Sequence, residues 1–188
     1  YQQVSVFMRG PLLDVLVYLR EHFERISNAM EVTEALKLLT DIDTFLNRME
    51  EKIKTAFNQV GEEIRASHLV IRDSGTVDQL TSNVLSFLAT ISLRKDLVTS
   101  LLYTKQETKG GDPFAEYVQR ILDDLVSAIV QKVSEEKNTN VKAIYALNNI
   151  QHIVTKVKSS NLKELLDESF YARCDKEIHS FSTMYKTA

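Results

Sequence analysis

Side chains capable of acid–base, nucleophilic or metal chemistry are few in this 188-residue chain, and they are scattered. The four histidines, His22, His68, His152 and His179, form neither an H-E-x-x-H motif nor any pair at ligand spacing, so the spacing indicates no metal centre. Adjacent carboxylates occur at Glu50-Glu51, Glu62-Glu63, Asp123-Asp124 and Glu135-Glu136. Neighbours on a helix point about 100° apart, so such pairs do not converge on one substrate and read as solvated faces. Cys174 is the single cysteine, which excludes an internal disulfide and argues against a thiolate zinc site. With His179 five residues on, it invites a thiol–imidazole reading, but no oxyanion motif accompanies the pair, and a buried structural thiol is the better expectation. Gly110-Gly111 lacks the G-x-x-x-x-G-K-[ST] pattern of a phosphate loop. The residues therefore point to no enzyme, metal, cofactor or nucleotide.

One cluster could serve binding. Lys156, Lys158 and Lys163 flank the turn Ser159–Asn161 and could face an anionic lipid surface or an acidic partner. At about 1 kcal/mol per basic residue near an anionic surface, three lysines attach only weakly. The competing reading is that they complement a helix C-terminus and solubilise the turn. The formal net charge is −3, without the concentrated basic field of a nucleic-acid binder. Nucleic acid is therefore not an expected partner.

The elements that must position these residues are helices. Glycine and proline number 5 and 2, far below the average usage of about 12 % combined, so turns are scarce and regular elements long. Gly10-Pro11 opens an apolar stripe through Leu12, Val15, Leu16, Leu19, Phe23 and Ile26. The same period returns from Val32 to Ile64, weakened but not ended by Gly61. Ser67–Gly75 reads as an irregular connection, and Ser67–Ile71 within it is the one place where a short strand could hide. Thr76-Val-Asp-Gln79 has the form of a capping box, followed by Val77, Leu80, Val84, Phe87, Leu88 and Ile91, with a kink expected near Arg94-Lys95. Thr104–Asp112 is an expected exposed loop, and Asp112-Pro113 starts the helix of Phe114, Tyr117, Ile121, Leu125, Ile129 and Val133. A helix from Val141 to Val157 follows, and a last one from a cap at Asn161 to Tyr185.

The expectation is an all-α chain of about six helices, several of 25 residues or more. They would be arranged as an elongated rod of antiparallel bundles, with residues 1–65 a helical hairpin and 76–188 a four-helix portion. No apolar run approaches the roughly 20 residues of a membrane span and no signal pattern opens the chain, so it reads as cytoplasmic. The apolar stretch Val4–Met8 looks like the end of an element belonging to a longer chain, or else a frayed terminus.

Four segments from Asp73 onward carry a resemblance. Asp73-Ser-Gly75-Thr-Val-Asp-Gln-Leu-Thr-Ser-Asn-Val-Leu-Ser-Phe-Leu88 resembles the "DGTVHELTSN-apolar-FL" segment of the exocyst seventy-kilodalton subunit family. Tyr117-Val-Gln-Arg-Ile-Leu122 resembles that family's next helix start, and Val141-Lys-Ala-Ile-Tyr-Ala-Leu-Asn-Asn-Ile-Gln-His-Ile-Val154 resembles its helix with a paired asparagine. Residues 161–185 are similar to the helix after it, whereas 11–65 match only loosely. The resemblance implies a helical rod within a complex that tethers secretory vesicles to the plasma membrane. It implies as partners other exocyst subunits, a Rho-type small GTPase and phosphoinositide membrane, with peripheral recruitment to that membrane. Family chains are several times longer, and their main basic lipid surface lies in a further domain beyond Ala188, so lipid binding is expected outside this stretch. Asn148-Asn149 matches the family's pair, with packing or capping as its expected role. A subunit of another helical-rod tethering complex, Golgi or endosomal, is the alternative reading, and an α-helical enzyme a distant third.

Overall fold

The computed structural model describes residues 17–19, 22, 32–67, 69, 71, 75–102 and 111–188. Among them are six α-helices, one 3-10 turn and no strand. The chain divides into two compact units, Tyr1–Gln59 and Val60–Ala188. Helix α1 (Val32–Ala66) contributes to both, as a single run of 35 residues. In the first unit its Leu46, Ile53 and Phe57 are buried, at the seven- and four-residue steps of one helical face. In the second unit Val60 and Ile64 continue that face, and the helix passes through Gly61 unbroken.

The rest of the second unit comprises α2 (Gln79–Ser92), α3 (Lys95–Leu102), α4 (Pro113–Ser134), α5 (Thr139–Lys158), the 3-10 turn Asn161–Leu165 and α6 (Glu168–Thr187). Helix α4 is the centre: α2, α3, α5, the 3-10 turn and α6 all pack on it, while α5 packs most extensively on α6. The apolar residues of α4 explain this role. Its expected stripe from Phe114 to Val133 is buried, and so is a second row at four-residue steps, Val118, Leu122 and Val126. Two buried rows make a helix that needs neighbours on most of its circumference.

The all-α reading holds, but several boundaries and lengths differ from the sequence expectation. Among the described helices only α1 exceeds 25 residues; α4 has 22 and α5 and α6 have 20 each. The expected kink is a full break, with Leu93 closing α2 before α3 begins at Lys95. Thr76 is not the cap of α2. Asp78 is, its carboxylate accepting from the Leu80 N–H at 2.8 Å, while the Gln79 side chain donates forward to Asn83 instead of reaching back. Nor does Asn161 start the last helix. Its side chain donates to the Ser92 hydroxyl at 2.7 Å, a 3-10 turn forms there instead, and α6 begins at Glu168 with Asp167 as cap. Of the expected first helix through Leu12–Ile26, residues 17–19 and 22 are described and are helical; the rest of it, the stretch Val4–Met8 and nearly all of the Thr104–Asp112 loop lie outside the described residues. Of the possible strand site, Ser67, Leu69 and Ile71 are described and carry no regular structure.

The Asp112-Pro113 start is as expected. Asp112 accepts from the Phe114 N–H at 3.1 Å and from the Lys95 ammonium at 2.6 Å, which also ties α3 to the start of α4. Burial alone would raise its pKa, but the Lys95 hydrogen bond and charge and the backbone N–H groups of Ala115 and Phe114 outweigh it, and the net shift is downward. A folded pKa below the unfolded one means stabilisation that is present at neutral pH and lost as pH falls through the folded value, below about pH 4. Asp112→Ala should cost about 1 kcal/mol at pH 7, as loss of an N-cap does. The deficit relative to wild type should shrink below about pH 4. Urea unfolding at pH 7 and pH 3 checks both; an equal deficit at the two values would refute the assignment.

Candidate functional site

Two of the segments that carry the resemblance meet in space. Gly75 has φ +60, in the left-handed region, and its carbonyl accepts a hydrogen bond from the Asn148 side chain. The Asn149 side-chain oxygen accepts from the Asp78 N–H at 2.9 Å and from the Thr81 hydroxyl at 2.8 Å, while its amide donates to the Tyr145 carbonyl at 2.9 Å. The Tyr145 hydroxyl donates to Asp78 at 3.0 Å, on the carboxylate oxygen not used for capping. Burial, and then the Asp78 charge and hydrogen bond, hold the Tyr145 phenol well above its ordinary pKa. Among the described residues Thr81 and Asn149 are the two buried polar residues, and they are bonded to each other. The network thus straps the backbone of residues 75–78 across α5.

On its outer side the strap forms a groove of about 490 Å³ lined by Gly75, Thr76, Val77, Asn148, Gln151, His152 and Thr155. That volume falls in the range of ligand sites, but the groove lies open to solvent and its walls bear no carboxylate, thiol or ammonium group. His152 is its one titratable side chain, pushed below its ordinary pKa by burial and then by the Lys156 charge, which favours the neutral imidazole at pH 7. Among the described residues no group of three or more His, Cys, Asp or Glu side chains is placed to hold a metal ion.

The three lysines occupy different places on α5 and the 3-10 turn. All three are exposed. Lys156 acts on His152 at the groove, whereas Lys158 sits over the Tyr171 ring, 5.3 Å from its centroid. Two positions apart on α5, they leave the helix in nearly opposite directions. Lys163 projects from the 3-10 turn.

Of the paired carboxylates, Asp123 and Asp124 are structural ties, not the solvated face expected. Asp123 accepts from Arg173 of α6, and Asp124 from Arg65 of α1, so adjacent residues of α4 grip two different helices. Gly61 makes room for the second tie, since a Cβ there would run into the Asp124 carboxylate. Glu135 pairs with Lys132 and Glu51 with Lys54 on their own helices. Cys174 is fully buried, and burial pushes its thiol up to about 11, whereas His179 is exposed on α6. Native protein at pH 8 should therefore leave a disulfide reagent unreacted, with one thiol appearing on addition of denaturant. Rapid reaction without denaturant would contradict this placement.

Asp78, Thr81 and Tyr145 lie within the quoted segments, but their joint role was not visible from spacing, because it depends on contacts between residues 67 to 71 apart. The comparisons with known proteins agree with the geometry. The model of one family, the C-terminal part of the Exo70 exocyst complex subunit, matches residues 7–188. Exocyst complex component EXO70A1 of Arabidopsis thaliana is 24 % identical, over 93 % of this chain and 28 % of the relative. EXO70E2 and EXO70C2 of the same plant are 24 % and 22 % identical, over 80 % and 93 % of this chain. The chain spans a little over a quarter of the length of these relatives. With the family model covering nearly all of the chain, and two of the resemblance segments joined in one network, the chain belongs to the family of Exo70 C-terminal regions of the exocyst complex.

Proposed function

We propose that this chain is a non-enzymatic part of an exocyst subunit that helps tether secretory vesicles to the plasma membrane through protein–protein contacts. The match over residues 7–188 carries this reading. The polar side chains support it: Asp78, Asn149, Asp123 and Asp124 are engaged in holding helices together, not gathered around a reacting centre. Residues 76–188 are the portion that resembles the family's helical rod. The protein works in the cytoplasm and is recruited peripherally. Among the described residues no helix is long and apolar enough to cross a membrane.

Purification of the tagged full-length protein from its own cells, followed by mass spectrometry, tests this. Recovery of other exocyst subunits, and of a Rho-type small GTPase when loaded with a non-hydrolysable nucleotide, is the expected result. Recovery of a Golgi or endosomal tethering complex instead would overturn it.

The 188-residue chain itself should bind phosphoinositide liposomes negligibly. Its net charge is −3 and its lysines 156, 158 and 163 are dispersed, against the four to eight clustered basic residues that such lipids usually require. Physiological salt screens beyond about 8 Å, so no long-range attraction compensates. Co-sedimentation with liposomes is the measurement. Strong, salt-sensitive pelleting that is lost in Lys156→Ala/Lys158→Ala/Lys163→Ala would place a lipid site here.

A further inference from the structure

We draw no further inference here: the strongest candidate, the apolar stripe that Leu38, Ile42, Phe45 and Met49 leave exposed or half-buried on α1, carries none because nothing in the structure shows what covers it.

Discussion

Gly75→Ala should lower the stability of the folded chain by about 2–5 kcal/mol, a large effect for a single added methyl group. Two costs add. At φ +60 an L-residue brings its Cβ against its own backbone, which costs roughly 1–2 kcal/mol. The new carbon would also run into the Cγ2 methyl of Ile144, and forcing an extra carbon into an occupied site costs about 1–3 kcal/mol. The two parts are separable. Ile144→Ala in the Gly75→Ala background should return the steric part but not the backbone part, so the double-mutant cycle should show a coupling above about 0.5 kcal/mol. Urea denaturation of the four proteins measures it. A loss below about 0.5 kcal/mol for Gly75→Ala would mean that the strap does not need this conformation.

Asn149→Leu should cost about 3–5 kcal/mol although leucine has the same number of side-chain heavy atoms and the same branching as asparagine. The change removes the one side-chain oxygen that accepts from both the Asp78 N–H and the Thr81 hydroxyl. Both donors lie at the start of α2, and Thr81 is fully buried. Leaving a buried donor without an acceptor costs about 1–3 kcal/mol, and the lost bond from the Asn149 amide to Tyr145 adds to this. Thr81→Val, which removes one donor together with its need for an acceptor, should cost much less than Asn149→Leu. In the Thr81→Val background, Asn149→Leu should be less damaging than in wild type. Hydrogen exchange gives a second readout: the Asp78 amide should exchange faster in Asn149→Leu while amides at the centre of α4 keep their order of protection. Equal costs for Asn149→Leu and Thr81→Val would show that the shared acceptor is not what holds the strap.

Much of this architecture was legible in the chain because its causes are local. Apolar residues at three- and four-residue steps mark α1 over its whole length, and Asp112-Pro113 marks the start of α4 with both the capping carboxylate and the proline in place. What failed to read correctly depends on which distant group claims a side chain. Asn161 has the chemistry of an N-cap, but it falls inside a 3-10 turn capped by Ser160, with its amide donating to Ser92, 69 residues earlier in sequence, and α6 is capped by Asp167. Thr76 and Asp78 both suit a cap, and the choice falls on Asp78, which Asn149 and Tyr145 hold in place. The second apolar row of α4 was present in the sequence as Val118, Leu122 and Val126, but its meaning depends on how many helices surround it. For the candidate site, the segments were visible and their junction was not. The pair Asn148-Asn149 could be assigned to packing or capping, yet only the fold shows that each asparagine serves a different backbone group of one strap.

The strap also sets an order of events during synthesis. Gly75 and Asn148 are separated by 73 positions, so the first cannot meet the second until α3 and α4 have been made. At roughly 5–20 residues per second, a ribosome needs about 4–15 s to add that length. Helix–coil exchange is over within about a microsecond, so α2 has ample time to form and melt repeatedly before its partner exists. Through that interval the Asp78 N–H and the Thr81 hydroxyl can be satisfied only by water or by transient neighbours. The start of α2 becomes fixed only once α5 has been made, and a nascent chain stalled between α4 and α5 would carry the first signature segment complete in sequence and still unlocked.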